Sequence, residues 1–335
     1  MNLQELCGEI TAMGYPKYRA GQIYKWLHKN GVSDFSLMTD IPAALRACLN
    51  DNFVIYSCAI EKKLISEYDN TIKYLFRLHD GEYIETVLME YKYGYTVCVS
   101  SQVGCRMGCK FCASTLAGVV RNLNASEILS QVYAVQADNG IRISHIVMMG
   151  MGEPLDNYGN VLKFLRLISD ENGLNISMRH ISLSTCGVVP KIYELLEENL
   201  QLTLSVSLHA PTDEIRSSMM PVNKKWHIAE LISACKAYTA KTSRRISFEY
   251  ALVSGVNDSR QCAEQLAQLL QGMLCHINLI PVNEVDETGC KKGSAQSIRQ
   301  FERILANKGF AVTVRRSLGG DINAACGQLR RNFLK

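Results

Sequence analysis

The chain has 335 residues, of which 47% are hydrophobic and 20% charged, and its formal net charge is +4 at pH 7. This composition is that of a globular protein, and the length suits one large domain with a small accessory domain. The longest apolar stretches are too short to span a membrane, which excludes an integral membrane protein with helical spans. The slight excess of basic residues permits an RNA partner without demonstrating one.

The chain contains 13 cysteines, a number that raises the question of a disulfide scaffold. Such scaffolds belong to short secreted domains, and the first residues here lack the basic start and apolar run of a signal peptide. We therefore expect a cytoplasmic protein with reduced thiols. Five cysteines lie singly in apolar stretches and are expected to be buried packing residues: Cys48, Cys58, Cys235, Cys262 and Cys275.

Residues 1–52 are predicted to form short helices and a separate accessory domain. In the helix that follows Pro16, the side chains of Ile23, Trp26 and Leu27 share one face. The basic residues around that face have two equally good explanations, a solvated helix surface or a small RNA-binding module. These residues are Lys17, Arg19, Lys25, His28 and Lys29.

Residues 53–94 change to the periodicity of strands. Segments 71–78 and 83–90 are rich in β-branched and aromatic side chains, and Asp80-Gly81 between them is a strong two-residue hairpin signal. We therefore predict a short antiparallel β extension that leads into the main domain. Glu85 alternates with Ile84 in the second strand, which on its own favours a carboxylate that faces solvent.

From residue 95 to residue 335, strands alternate with helices. This order predicts a parallel sheet with right-handed crossovers, and the count fits an α/β fold with an open barrel of about six βα units. Ligands of such barrels gather at the carboxyl ends of the strands. The strands are predicted at 96–102, 144–151, 180–186, 202–209, 245–252, 276–282 and 311–317, and the helices near 125–139, 157–170, 190–198, 226–240, 258–272 and 295–308.

The loop after the first of these strands contains Cys105, Cys109 and Cys112 in a C-x3-C-x2-C pattern. Three thiolates so close in sequence can share one metal centre. A structural zinc site or a cluster with four thiolates would need a fourth cysteine, which this loop lacks. A [4Fe-4S] cluster held by three cysteines keeps one iron open for another ligand. The pattern favours such a cluster, with zinc as the alternative.

Short polar residues recur where several later strands end. Each of them, taken singly, is explained as a turn former or a satisfied barrel group, but their recurrence indicates a ligand with several polar groups. They lie in Met149-Gly150-Met151-Gly152-Glu153-Pro154, Leu183-Ser184-Thr185, Ser207-Leu208-His209 and Pro281-Val282-Asn283. Near the end of the chain, Cys326 lies between small residues, which suits either a buried thiol or a loop thiol that enters a tight site.

Five motifs together resemble the RlmN/Cfr family of radical S-adenosylmethionine (SAM) RNA methyltransferases. They are Cys-x3-Cys-x2-Cys, Met-Gly-Met-Gly-Glu-Pro-Leu, Leu-Ser-Thr-x-Gly-Val-Val-Pro, Ser-Leu-His-Ala-Pro and Ala-Ala-Cys-Gly-Gln-Leu. The similarity runs nearly end to end and is closer to RlmN than to Cfr, because Pro154 stands where Cfr-like sequences tend to carry Ala. Glu284-Val285 departs from the Pro-Phe of many RlmN sequences, and Cys290 nearby matches no family role.

The resemblance implies a partial (β/α)6 radical SAM barrel and methylation of adenine C2, in 23S rRNA at adenosine 2503 and in tRNA at adenosine 37. It implies a [4Fe-4S] cluster on the three loop cysteines, two SAM molecules per turnover and a flavodoxin-type electron donor. Cys326 would carry the methyl group, Cys98 would resolve the RNA adduct through a transient disulfide, and Glu85 would accept the C2 proton. The residues implied for SAM binding are Gly152, Glu153, Ser184, Ser207, Leu208, His209 and Asn283.

Adenine C2 is an electron-poor carbon, which explains why a radical route would be needed in place of ordinary methyl transfer. Three alternatives stay open at this point: Cfr-type methylation at C8, a radical SAM enzyme for a protein or small molecule, and a zinc-stabilised RNA-binding module. We expect a monomer. A flipped adenine would need basic residues for its phosphates, and the candidates besides the N-terminal ones are Lys224, Lys225, Arg315, Arg316, Arg330 and Arg331.

Overall fold

The computed structural model describes residues 1–283, 289–324 and 328. The chain begins with three helices, α1 (Leu3–Ala12), α2 (Tyr18–His28) and α3 (Ala43–Asn52). A capping box starts α1, because the Asn2 side chain accepts from the Glu5 N–H at 2.7 Å and the Glu5 carboxylate accepts from the Asn2 N–H at 2.8 Å. The apolar faces of these helices are buried in the core, as the period of the sequence predicts.

Within the described residues, ten of the twelve strands form one open sheet in the order β1-β2-β3-β4-β7-β8-β9-β10-β11-β12, and β5 and β6 pair with each other. The strands are β1 (Ala59–Ile65), β2 (Ile72–Arg77), β3 (Tyr83–Tyr91), β4 (Gly94–Cys98), β5 (Gln102–Gly104), β6 (Val119–Asn122), β7 (Ile143–Met148), β8 (Ile181–Thr185), β9 (Thr203–Ser207), β10 (Ile246–Leu252), β11 (Cys275–Pro281) and β12 (Ala311–Val314).

The first four strands of the sheet are antiparallel, and those from β4 to β12 are parallel. The antiparallel extension is therefore continuous with the parallel part, because β3 pairs with β4 in the register Val87↔Cys98. β1 and β12 lie at the two edges, so that the barrel stays open. The division of the chain at residues 52 and 94 stays a prediction.

Six helices connect the parallel strands close to their predicted positions. They are α4 (Ala125–Asn139), α5 (Tyr158–Ile168), α6 (Val189–Glu197), α8 (Ile228–Thr242), α9 (Arg260–Leu269) and α10 (Ala295–Asn307), and a further helix, α7 (Asp213–Met219), precedes α8. α7 was not predicted because it is short and carries two serines. No helix within the described ranges is long and apolar enough to cross a membrane.

The predicted first barrel strand at 96–102 is divided in the structure. β4 ends at Cys98, and the N–H groups of Ser101 and Gln102 donate to the carbonyl oxygen of Met151 at 2.8 and 3.2 Å. The chain thus leaves the main sheet before the cysteine loop. Among the predicted packing thiols, Cys58, Cys235, Cys262 and Cys275 are buried, whereas Cys48 is half-buried.

Candidate active site

The cysteine loop is closed by the hairpin of β5 and β6. The N–H of Cys105 donates to the carbonyl oxygen of Gly118 at 3.0 Å. Gly104 has φ +77°, and a Cβ atom there would lie 1.9 Å from that oxygen. Only glycine therefore fits at this crossing, the point where β5 passes close to the Gly118 carbonyl. Farther along the loop, the N–H of Lys110 donates to the carbonyl oxygen of Met219 at 2.9 Å, which fixes the loop against α7.

Burial controls the protonation of the loop thiols. Burial raises the pKa of Cys105 to about 12, and burial followed by the charges of Cys112 and Cys105 raises the pKa of Cys109 well above its usual value. These thiols therefore hold their protons in the metal-free chain, and metal binding must displace them. Among the described residues, no group of three or more His, Cys, Asp and Glu side chains could hold a single metal ion, which is a different requirement from that of a multi-iron cluster.

One cavity at the carboxyl ends of the parallel strands gathers the predicted cluster and SAM residues, with the exception of Leu208. The three soft thiol donors open into this one space, which fits an iron–sulfur cluster. Leu208 is fully buried outside its wall, where its N–H donates to the Glu249 carbonyl oxygen at 3.1 Å. The predicted residues that line the cavity are Cys105, Cys109, Cys112, Gly152, Glu153, Ser184, Ser207, His209 and Asn283.

Glu153 is buried in the cavity wall and is held by backbone donors. Its Oε1 accepts from the Leu155 N–H at 3.0 Å, and its Oε2 accepts from the Cys186 N–H at 2.7 Å. Burial raises the pKa of this carboxyl, and these hydrogen bonds oppose the rise. Gly152 before it has φ +101°, and a Cβ atom there would lie 2.8 Å from the Gln102 nitrogen. The turn therefore brings a fixed carboxylate and bare backbone to the cavity.

His209 has a left-handed backbone with φ +56° and a ring of fixed orientation. Its Nδ1 accepts from the Ala251 N–H at 2.8 Å, and its ring meets Phe111 edge to face at 4.8 Å. Burial, followed by the charge of Arg216, lowers the pKa of His209 to about 3. The imidazole is therefore neutral and carries its proton on Nε2, since Nδ1 is the acceptor.

Three buried polar residues of the site were missed by the sequence analysis. Glu249 lines the cavity and accepts from Asn278 Nδ2 at 2.7 Å. Asn257 donates to the carbonyl oxygen of His209 at 2.6 Å, and Arg216 donates to that of Ser207 at 3.0 Å. A carboxylate between Phe248 and Tyr250 in an apolar strand was a usable signal for Glu249, but nothing local indicates the other two.

Cys98 lies in a second cavity that adjoins the first. The two cavities share Met149, Ile280, Asn283 and Arg315 as walls. Cys98 lines the second cavity together with Ala324 of the C-terminal segment. Cys326 itself lies outside the described residues, as do Glu284-Val285 and the candidate RNA contacts Arg330 and Arg331.

Glu85 is fully buried, so the expectation of a solvent-facing carboxylate is wrong. The physical reason is that β3 lies between β2 and β4 and is buried on both faces, which hides the alternation. Lys73 Nζ lies 2.9 Å from Glu85 Oε1 and also donates to the Asn323 carbonyl oxygen at 3.1 Å. Glu85 occupies the same face of β3 as Val87, a wall of the second cavity.

Residues 99–269 match the family model of the radical SAM superfamily, and residues 1–55 match that of the ribosomal RNA large subunit methyltransferase N-terminal domain. The probable dual-specificity RNA methyltransferase RlmN of Clostridium novyi (strain NT) is 54% identical over 333 residues, which cover 99% of this chain and 97% of that protein. The chain belongs to the RlmN family of radical SAM RNA methyltransferases.

Two further comparisons agree with this assignment. The probable RlmN of Thermoanaerobacter sp. (strain X514) is 52% identical over 335 residues, 100% of this chain and 98% of that protein. The crystal structure of a radical SAM methyltransferase from Sphaerobacter thermophilus matches with a TM-score of 0.95 and 46% identity over 98% of this chain and 97% of that chain. The predicted RlmN resemblance, the open α/β fold and the cofactors, a [4Fe-4S] cluster and SAM, are confirmed. The RlmN-type activity is supported over the alternatives.

Proposed function

We propose that this RlmN-family chain methylates C2 of an adenine in 23S rRNA and in tRNA. The relatives are named dual-specificity RNA methyltransferases. The observation that carries the proposal is the shared wall between the two cavities, because Cys98 and the C-terminal segment thereby adjoin the predicted cluster and SAM residues. A thiol-borne methyl group and a radical source would need that proximity.

In this proposal Cys105, Cys109 and Cys112 would hold the cluster in the cavity that they share with the SAM residues. Together, the bound cluster and SAM supply the one-electron chemistry that adenine C2 requires. Glu153 would accept from the ammonium group of SAM, and Gly152 would let the backbone come close to it. The remaining polar contacts are assigned to Ser184, Ser207, His209 and Asn283. Leu208 is not included, because its N–H donates to the Glu249 carbonyl oxygen and its own carbonyl oxygen accepts from Arg216.

The methyl group and the proton are assigned to Cys326, Cys98 and Glu85. Cys326 holds the methyl group as a thioether and becomes joined to RNA through it. Glu85 takes the C2 proton, and Lys73 balances the charge of its carboxylate. The Cys98 thiolate then attacks the sulfur of Cys326 and a disulfide forms. The bond from sulfur to the product breaks, and the product carbon keeps the electron pair and takes up a proton to become the methyl group. A thiol reductant restores both cysteines.

Four basic residues of the described chain are assigned to the RNA backbone. Arg315 lines both cavities and Arg316 lines the second. Lys225 packs its ammonium group over the ring of Trp226 at 4.6 Å, beside exposed Lys224. His28 is buried, and we therefore remove it from the basic surface expected in the N-terminal helices. A cytoplasmic monomer that receives electrons from a flavodoxin-type donor completes the proposal.

The test is mass spectrometry of nucleosides from rRNA and tRNA after anaerobic incubation with protein, SAM and a reductant. We expect 2-methyladenosine from both RNAs, and none with Cys326→Ala protein that carries the same amount of iron. Methylation at C8 would overturn the assignment of the atom. Absence of methylated RNA from a fully loaded enzyme would overturn the proposed function.

A further inference from the structure

Arg216 of α7 is a fully buried arginine whose partners are neutral. Its Nη2 donates to the carbonyl oxygens of Cys186 at 2.7 Å and Ser207 at 3.0 Å, and its Nε donates to that of Leu208 at 3.1 Å. Its Nη1 donates to Asn223 Oδ1 at 2.9 Å. The guanidinium thus joins the carboxyl ends of β8 and β9 behind the SAM residues.

The positive charge of Arg216 has no direct carboxylate partner in the part of the chain that the structure describes. Asp213 is connected to it through Asn223, whose Nδ2 donates to Asp213 Oδ1 at 2.9 Å. Burial of an arginine without a carboxylate is costly, because carbonyl dipoles replace hydration only in part. An arrangement of this kind indicates that a negative charge lies nearby when the site is loaded.

The segment that carries Arg216 also contacts the cysteine loop. Met219, three residues later on α7, accepts the hydrogen bond from Lys110. A Cβ atom on Gly108 would lie 3.3 Å from Pro221 Cγ, so loop and segment are in close contact. Cys186 and Ser207, whose carbonyl oxygens accept from Arg216, line the same cavity as the three loop cysteines. Arg216 is therefore close enough to act on whatever the loop cysteines hold.

We propose that Arg216 is a positioning residue whose buried charge stabilises the reduced cluster and so raises its reduction potential. The inference rests on the proposed ligation by Cys105, Cys109 and Cys112. A four-iron core of charge +2 with three thiolates has a net charge of −1. One electron from a one-electron donor brings it to −2, so the attraction to the guanidinium grows on reduction. The hydrogen bonds to the strand ends hold the charge in place.

The experiment measures the midpoint potential of the reconstituted cluster by anaerobic redox titration, followed by electron paramagnetic resonance. For Arg216→Met we expect a more negative potential, with at least a tenfold lower ratio of reduced to oxidised cluster at a fixed potential, which is about 59 mV for one electron. Arg216→Lys, which keeps the charge, should recover most of the shift. Thermal melting of each metal-free variant reports on folding separately.

Arg244 offers a matched control at the other end of β9. It is half-buried and donates to the Leu202 carbonyl oxygen at 3.4 Å, so Arg244→Met also removes an arginine from a strand carbonyl. Its potential should equal that of the wild type. An Arg216→Met variant that holds a cluster at the wild-type potential would overturn the inference.

If Arg216→Met does not retain iron, its reduction potential cannot be measured. The iron content of three variants after reconstitution then tests whether the charge is required. Retention by Arg216→Lys with loss in both Arg216→Met and Arg216→Gln supports the proposal. Loss in all three shows a purely structural role and overturns it. A wild-type protein that loads no cluster contradicts the proposed ligation instead, so the two failures are distinguishable.

Discussion

The ion pair of Lys73 and Glu85 is the buried charge pair of β2 and β3, with side chains 2% and 0% exposed. Removing one member leaves the other charged and desolvated. We expect Lys73→Met to lower the free energy of unfolding by about 3–5 kcal/mol. The double variant with Glu85→Gln should lose less, because no uncompensated charge remains. Urea denaturation of the metal-free proteins measures both.

The pair of Lys163 and Glu5 is the control for that prediction. Their side chains are 41% and 42% exposed, and Lys163 Nζ lies 2.7 Å from Glu5 Oε1. A surface pair of this kind contributes about 0–1 kcal/mol, so Lys163→Met should have a small effect. Equal losses in Lys73→Met and Lys163→Met would show that the buried pair is not special.

Variants that lack Cys98 or Cys326 are expected to stop the reaction at different stages. Cys326→Ala should bind no RNA covalently, because the carrier thiol is absent. Cys98→Ala should accumulate RNA attached through Cys326, because the resolving thiol is absent. Gel electrophoresis under denaturing conditions, before and after nuclease treatment, separates the two outcomes. Free turnover by Cys98→Ala, without attached RNA, would leave Cys98 as a packing residue of its cavity.

Residues whose partners are close in sequence could be predicted, and those with distant partners could not. The ligand set of Cys105, Cys109 and Cys112 is a local pattern, and the resemblance supplied the polar residues at the strand ends. Arg216 and Asn257 act on backbone carbonyls of other strands, which leave no trace in side-chain periodicity. The burial of Glu85 depends on both neighbouring strands and was therefore predicted wrongly from alternation.

At the scale of elements, the crossing of the β5–β6 hairpin at Gly104 decides the shape of the cysteine loop. Gly104→Ala adds a left-handed strain of about 1–2 kcal/mol and a clash with the Gly118 carbonyl oxygen at 1.9 Å. We expect this variant to fold but to bind less iron and sulfide after reconstitution. Iron and sulfide analysis with absorption spectroscopy measures the loss.

Gly81→Ala is the matched control, since Gly81 has φ +84° and open space around its Cα. It carries the backbone strain without the clash. Its iron content should equal that of the wild type, with only a small loss of stability. If both variants load the cluster fully, the hairpin crossing does not control the loop.

Elements with a strong repeating pattern were predicted well. The apolar strands and the long helices of the parallel part lie within a few residues of their expected positions. Strands that are buried on both faces have a continuous run of apolar residues, which is easy to recognise in the sequence. The irregular connections were not predicted. α7 has seven residues, and the β5–β6 pair depends on a contact across the cysteine loop. Both elements contact the cysteine loop. The cysteine motif could therefore be found in the sequence, whereas the elements that hold it in place could not.

At the scale of the whole molecule, the N-terminal helices dock on α4 through His28. Its Nδ1 lies 3.0 Å from the Tyr133 hydroxyl, and its Nε2 lies 3.2 Å from the Met1 carbonyl oxygen. The sequence placed His28 among basic surface residues because nothing in α2 indicates contact with a helix more than a hundred positions away. The contact between the predicted N-terminal domain and α4 could therefore not be predicted from the periodicity of the sequence.

This docking makes stability depend on pH. Burial, followed by the charge of the Met1 amino group, lowers the pKa of His28 from 6.5 to about 4. The folded state therefore binds fewer protons than the unfolded state, so stability is complete above about pH 6.5 and is lost as the pH falls towards 4. We expect His28 to account for about 2 kcal/mol of lost stability between pH 7 and pH 5. Urea denaturation followed by tryptophan fluorescence, to which Trp26 in α2 contributes, measures it.

His28→Gln isolates this contribution, because glutamine keeps hydrogen-bonding groups but does not titrate. The buried amino group of Met1, whose pKa is also lowered by burial, changes stability in the same direction and remains in both proteins. The difference between wild type and His28→Gln should therefore shrink as the pH falls from 7 to 5, as the wild type loses its advantage. A difference that stays constant over this range would mean that His28 is protonated without cost, and that the contacts with Tyr133 and Met1 do not couple docking to pH.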